Sequence, residues 1–197
     1  MNIINTVIDI ETTMQLDDDK KTITSPFFGQ QLVSVGYNSK SFNTCDSRYL
    51  FFYHEGREPT QNAFNTLQSA LDKTDILIGH NIKFDLGWLR ECGFQYKGKL
   101  FDTMVAEYIL LRGQKQSKSL DECCKRRGIP GKNNEKVNSY IKEGISYEAM
   151  PWEEVEEYGK TDVSITGALA EKQLQELGVA SWEKYTEGKV HVAFAST

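Results

Sequence analysis

The seven residues Thr6-Val7-Ile8-Asp9-Ile10-Glu11-Thr12 constrain this chain more than any other stretch. Their aliphatic content predicts a buried strand, yet two carboxylates interrupt it. Side chains alternate faces along a strand, so Val7, Asp9 and Glu11 share one face while Ile8 and Ile10 take the other. An ionised carboxylate in ordinary core costs roughly several kcal/mol unless a cation or a hydrogen-bond donor meets it. Two readings satisfy the run. One is an edge strand with a wet face; the other is a strand whose acidic face belongs to a divalent-metal site completed by acids from elsewhere.

Two further acids interrupt apolar stripes in the same way. Near Asn81 the residues Ile82, Asp85, Leu86 and Leu89 recur at helical spacing, which turns Asp85 inward among aliphatics. After Pro151, a helix start, Val155, Tyr158, Asp162, Ile165 and Leu169 recur at intervals of three and four, with Tyr158 one turn before Asp162. A lone inward aspartate is more often a cap or an ion-pair member than a ligand. Four acids in this pattern point instead to a centre for hard divalent ions, which prefer oxygen ligands.

Between these segments the chain predicts a mixed sheet covered by helices. Residues 31–37 and 49–53 read as strands that join the first in an antiparallel trio, and residues 14–25 as an exposed loop or hairpin tip. Pro59-Thr60 opens a helix carrying Ala63, Phe64, Leu67, Ala70 and Leu71. Residues 75–79 form a short buried strand, residues 82–92 a helix ended by Gly93, and residues 99–101 another strand. Asp102 caps a helix with an apolar stripe of Met104, Val105, Tyr108, Ile109 and Leu111. Ser119-Leu120-Asp121-Glu122 matches a capping box for a helix ending near Gly128, and residues 131–146 read as a loop with short helical turns.

Charge excludes one class of function. With 28 acidic against 23 basic residues, a net charge of −5, the chain does not grip nucleic acid through a bulk positive field. The bases cluster locally, as in Lys125, Arg126, Arg127, Lys132 and Lys136, and such runs are usually solvated faces. Cys45, Cys92, Cys123 and Cys124 lack metal-ligand spacing and read as buried or half-buried thiols in a reducing compartment. His54, His80 and His191 are too scattered for a zinc site. No apolar run reaches the ~20 residues of a membrane span and no secretory signal opens the chain, so a soluble cytoplasmic protein is expected.

The motifs also carry a resemblance. Asp9-Ile10-Glu11-Thr12, Gly79-His80-Asn81-Ile82-Lys83-Phe84-Asp85 and Tyr158-Gly159-Lys160-Thr161-Asp162 resemble, in order and separation, the three motifs of the 3′–5′ exonuclease domain of family A, bacterial DNA polymerase I-like, DNA polymerases, the tyrosine subclass of the DEDD superfamily. Leu100-Phe101-Asp102-Thr103-Met104 and Ser119-Leu120-Asp121 extend the likeness from about residue 7 to 177. It implies an RNase H-like α/β fold, with a mixed central sheet of about five strands flanked by helices. It implies two divalent ions, Mg²⁺ or Mn²⁺: Asp9, Glu11 and Asp162 on one, Asp9 bridging to a second held by Asp85, with Tyr158 orienting the attacking water. Asn81 and Phe84 take positions that contact the terminal nucleotide in the family, Thr12 meets the 3′ end, and Met14 or Leu16 wedges between terminal bases. Gly159 departs from the family, which often has alanine there, at a helix cost of ~1 kcal/mol.

The expected activity is removal of 3′-terminal nucleotides from DNA, from single-stranded or frayed ends, releasing 5′-mononucleotides as in proofreading. Expected partners are DNA 3′ ends and a polymerase or replication protein; the protein is expected to be a monomer with no membrane association. RNA 3′-end trimming of the RNase D or RNase T kind, RNase H-like internal cleavage and a catalytically silent nucleic-acid-binding domain are the alternatives. Residues 1–178 are expected to form the exonuclease domain. Residues 179–197, with Trp182, Tyr185 and Phe194, are expected to form a tail docked on it or on a partner.

Overall fold

The structure, a computed structural model, describes every residue except 1–2, 18, 20, 42–43, 132–133, 189–191 and 193–197. Asp18 and Lys20 of the acidic tip, Lys132, His191 and Phe194 therefore lie outside the described residues. In chain order the elements are β1 (Asn5–Thr12), β2 (Gln15–Leu16), β3 (Thr22–Ile23), a 3-10 turn (Pro26–Phe28), β4 (Leu32–Lys40), β5 (Cys45–Phe51), α1 (Ala63–Lys73), β6 (Ile76–Gly79), α2 (Ile82–Glu91), β7 (Lys99–Asp102), α3 (Thr103–Leu110), α4 (Leu120–Arg126), α5 (Glu135–Lys142), a second 3-10 turn (Tyr147–Ala149), α6 (Trp152–Glu176) and α7 (Trp182–Glu187).

One mixed sheet of five strands, in the order β5-β4-β1-β6-β7, runs through the molecule. β1 pairs antiparallel with β4 and parallel with β6, which places the acidic strand at the centre rather than at an edge. Each face of β1 meets a different layer. Ile8 and Ile10 pack with Leu67, Leu71, Leu86 and Leu89 of α1 and α2. Val7 packs with Val163, Ala170 and Leu174 of α6. Since Asp9 and Glu11 lie on the Val7 face, they point toward α6, the helix that carries Asp162. β2 and β3 form a separate small hairpin.

Asp102 joins two helix starts to the sheet. Its carboxylate accepts the amides of Asn81 (3.0 Å) and Ile82 (3.1 Å) at the start of α2, and those of Met104 (2.9 Å) and Val105 (3.4 Å) at the start of α3. Satisfying these orphan donors with one anion is favourable at helix N-termini and locks α2 to β7. The cap also sets the rotation of α3, which differs from the expected stripe. Thr103, Val105, Ala106 and Glu107 are buried, whereas Tyr108 and Ile109 are exposed. Glu107 can face inward because Arg126 (2.8 Å), Arg127 (2.7 Å) and Gln173 (2.8 Å) surround its carboxylate. Two bases of the expected solvated cluster are thereby structural.

Ser119 makes no side-chain cap bond to α4, because its hydroxyl pairs with that of Ser117 (3.1 Å) instead; the expected capping box does not form. The stretch expected as a loop with short helical turns contains a two-turn helix, α5, whose Val137 is buried beside Met14 and Val155. α7 packs on β7: Trp182 and Tyr185 lie edge-on to Phe101, with ring centroids 5.2 and 5.5 Å away. Cys123 and Cys124 are buried and Cys92 half-buried as expected, but Cys45, at the start of β5, is exposed. Among the described residues no helix is long and apolar enough to cross a membrane.

Candidate metal centre and strand entrance

Three of the sequence-predicted acids meet. Asp9 and Glu11 on β1 and Asp162 on α6 each offer a carboxylate oxygen, and these oxygens lie within 4.8 Å of one another. Glu11 and Asp162 are buried and Asp9 is half-buried. At an effective dielectric of ~20, like charges at that separation repel by roughly 3 kcal/mol per pair. Such a set suits a hard divalent cation, whose charge offsets the repulsion and whose ligand preference is oxygen. No histidine or thiol belongs to this group, so the donor set itself favours Mg²⁺ or Mn²⁺ chemistry over zinc.

β1 carries a register shift between Glu11 and Thr12: Glu11 stands opposite Ser34, but Thr12 stands opposite Leu32. Bulges re-aim side chains where a strand stops pairing. Here it leaves Thr12 with its hydroxyl 2.6 Å from that of Thr24, on the chain returning from the hairpin.

Asp85 stands outside the triplet. β6 pairs with β1 only through Val7, and beyond that point the Asp85 carboxylate accepts the backbone amide of Ile10. At 4 % exposure, burial pushes its pKa up to about 7, backbone bonds from its own amide and from Ile10 oppose the shift, and Asp102 adds to it. Asp85 therefore backs the acidic strand and is poised between its neutral and charged forms near neutral pH.

Tyr158, one turn before Asp162 on α6, faces the acids. Burial, then the charges of Glu11 and Asp162, raises its pKa, so the phenol stays protonated at neutral pH. Its hydroxyl is hydrogen-bonded to that of Tyr147, whose own pKa is raised by burial and Glu11; the rings are 6.2 Å apart. Tyr147 is a site residue that periodicity cannot find, because it belongs to a 3-10 turn. The one available signal was a tyrosine eleven positions before Tyr158.

Tyr49 is a second such residue. Its hydroxyl donates to the Val155 carbonyl of α6 (3.0 Å) and is 2.9 Å from the Ser34 hydroxyl. It fills the space beside Gly159, where a Cβ would come 2.3 Å from the Tyr49 hydroxyl oxygen. The glycine that departs from the family is thus matched by a tyrosine on β5.

The expected substrate residues divide. Asn81 is exposed in left-handed conformation (φ 64°) just before α2, and Phe84 is half-buried one turn later. Both line one groove. Met14, in contrast, is 8 % exposed and packs with Phe51, Val137, Met150 and Val155. A wedge between bases has to be reachable, so burial removes Met14 from that role. Leu16, 37 % exposed on β2, remains able to take it.

A family model described as 3′–5′ exonuclease matches residues 37–177, and the match begins downstream of Asp9 and Glu11. A DNA polymerase of Bacillus phage SP01 is 28 % identical over 185 residues, covering 85 % of this chain and 20 % of its own; the chain spans about a fifth of that relative. Among solved structures, one titled the apo form of the nuclease superposes with a TM-score of 0.58 at 19 % identity, covering 92 % of this chain and 78 % of that one. Brucella melitensis NrnC bound to pGG superposes with a TM-score of 0.55 at 20 % identity, covering 93 % and 79 %. The fold is RNase H-like.

Proposed function

This chain belongs to the 3′–5′ exonuclease family of family A DNA polymerases, and from that premise we propose that it removes nucleotides from the 3′ ends of single-stranded or frayed DNA, in step with a DNA polymerase. The observation that supports this reading is the meeting of Asp9, Glu11 and Asp162 within 4.8 Å beneath Tyr158. Asp9, Glu11 and Asp162 would hold one divalent ion, and Asp85, set back against Ile10, would serve a second. Mg²⁺ or Mn²⁺ bound there supplies charge neutralisation at the phosphodiester and acidifies the attacking water.

The chain's own residues orient the reaction. The Tyr158 hydroxyl, kept protonated by burial and by the acids below it, positions the water by hydrogen bonding and does not accept its proton. Tyr147 holds that hydroxyl in place. The water gives up a proton to bulk solvent and its oxygen bonds to phosphorus as the bond from phosphorus to the 3′-oxygen breaks; the departing 3′-oxygen takes a proton from solvent, leaving a shortened strand with a 3′-hydroxyl and a 5′-mononucleotide. Asn81 and Phe84 receive the terminal nucleotide and Leu16 separates terminal bases, while Thr12, 5 % exposed with its hydroxyl on Thr24, shapes the bulge beside the acids rather than presenting a side chain to the 3′ end.

Matched 3′-labelled DNA and RNA strands, digested with Mg²⁺, with Mn²⁺ and with chelator and resolved to single nucleotides, test the reading. Stepwise loss of DNA from the 3′ end, dependent on the cation, is expected. Faster loss of RNA would assign the enzyme to RNA trimming, and binding without cleavage would assign it to the silent class.

A further inference from the structure

Phe27 and Phe28, on the turn between the β2–β3 hairpin and β4, are 73 % and 72 % exposed, more than any other large hydrophobic side chain among the described residues. Contiguous exposed apolar surface is where proteins bind partners and ligands. The turn that carries them is built, not slack. Ser25 caps it by accepting the Phe27 amide (3.3 Å), Pro26 starts it, and Gly29 ends it at φ 82°. Thr24 fastens it to the end of β1, bonding the Thr12 hydroxyl (2.6 Å) and the Thr13 carbonyl (3.1 Å).

The turn packs beside α2, and between them runs a groove of about 340 Å³. Phe27, Asn81, Lys83, Phe84 and Trp88 line it. The groove thus includes the two second-motif positions expected at the terminal nucleotide, and the Thr24–Thr12 bond ties its wall to the residue after Glu11. Of the three aromatic side chains Trp88 is buried, and the Phe27 and Phe84 rings with the exposed Lys83 form the combination that binds a single strand: π-faces for bases and a cation for the backbone phosphates. A protein partner would have no need of a groove that includes Asn81 and Phe84.

We propose that Phe27 is a stacking platform for one base of the unpaired 3′ segment, with Lys83 on the phosphate backbone beside it. The proposal rests on the exonuclease reading and adds to it a strand-holding residue from the Pro26–Phe28 turn, outside the three motifs. It predicts which position of the strand Phe27 reads through its base, and not merely that binding weakens.

The test is a protein-against-base double substitution. A fluorescent single-stranded DNA ten-mer and variants with one abasic site at each of the last four positions are titrated in Ca²⁺ with wild type, Phe27→Ala and Phe27→Trp. Wild type is expected to lose about tenfold in affinity at one abasic position, within the range that stacking one base contributes. Phe27→Ala should bind the intact strand about tenfold more weakly and be indifferent to that same abasic position, while Phe27→Trp retains both. An unchanged unfolding temperature checks that the exposed substitution leaves the fold alone. Equal affinity of Phe27→Ala and wild type would overturn the platform and leave the turn as a surface for a protein partner. An equal penalty at every abasic position in both proteins would overturn it too. Failure of the exonuclease reading looks different: wild type then cuts no strand in Mg²⁺ or Mn²⁺, whatever the titrations give.

Discussion

Replacing Gly159 by alanine sets helix propensity against packing, and the two predict opposite signs. Gly159 lies inside α6, where alanine is favoured over glycine by ~1 kcal/mol. Propensity alone therefore predicts stabilisation. The alanine Cβ, however, would come 2.3 Å from the Tyr49 hydroxyl oxygen and 2.5 Å from its Cε2. Tyr49 is a packed ring, bonded to Val155 and Ser34, so it cannot swing away as a flexible chain end does. Overpacking costs ~1–3 kcal/mol. Displacing the ring also forfeits up to two hydrogen bonds of ~1 kcal/mol each. The balance is a destabilisation of about 2 kcal/mol, which for a chain of this size lowers Tm by ~4–8 °C. Thermal unfolding of Gly159→Ala measures it. In a Tyr49→Val background the clash is gone, and the same substitution should raise Tm by ~2–4 °C. A rise in Tm in the wild-type background, or the same sign in both backgrounds, would refute the argument that Tyr49 is the reason for the glycine.

Asp9→Ala should abolish cleavage and, in chelator, raise Tm by a few degrees, since one of three repelling carboxylates is gone. Mg²⁺ or Mn²⁺ should raise the wild-type Tm, by ~3 kcal/mol equivalent at 100 times Kd, and leave Asp9→Ala unmoved; retained cleavage in that variant sinks the assignment. Asp85 carries a pH signature. Its folded pKa, pushed up to about 7 by burial, lies above the unfolded value, so the stability it contributes is complete below about pH 4 and is lost as pH rises through 7. In chelator, wild type should weaken relative to Asp85→Asn by about 1 kcal/mol per pH unit across that window; parallel pH curves for the two proteins would contradict it. Tyr158→Phe should lower kcat by about a hundredfold with KM nearly unchanged, and Tyr147→Phe by a smaller factor in the same parameter; an effect on KM alone would make the pair a packing feature. Glu107→Ala leaves two guanidinium groups without their shared partner and should cost about 3 kcal/mol, read as a drop in Tm of roughly 6–12 °C; an unchanged Tm would show the cluster to be dispensable.

Much of this protein follows from local pattern. Alternation in β1 put Asp9 and Glu11 on one face, and helical spacing turned Asp85 and Asp162 inward, because periodicity records which side of an element avoids water. The motif order then carried the family and the five-stranded mixed sheet. Periodicity says nothing about what lies across an interface. The motif resemblance already grouped Asp162 with Asp9 and Glu11; tertiary packing decided that Asp85 backs the strand at Ile10, beyond the last β1–β6 pair. It buried Met14 under Val137 of a helix that sequence alone reads only as short helical turns in a loop, and it turned α3 about the Asp102 cap so that Glu107 rather than Tyr108 faces inward. Tyr49 lies 110 positions before Gly159, and Tyr147 reaches Tyr158 only because a turn folds back onto α6. Each of these depends on close packing between elements distant in sequence, and a side chain's neighbour there is chosen by the space the whole fold leaves, not by the residues beside it.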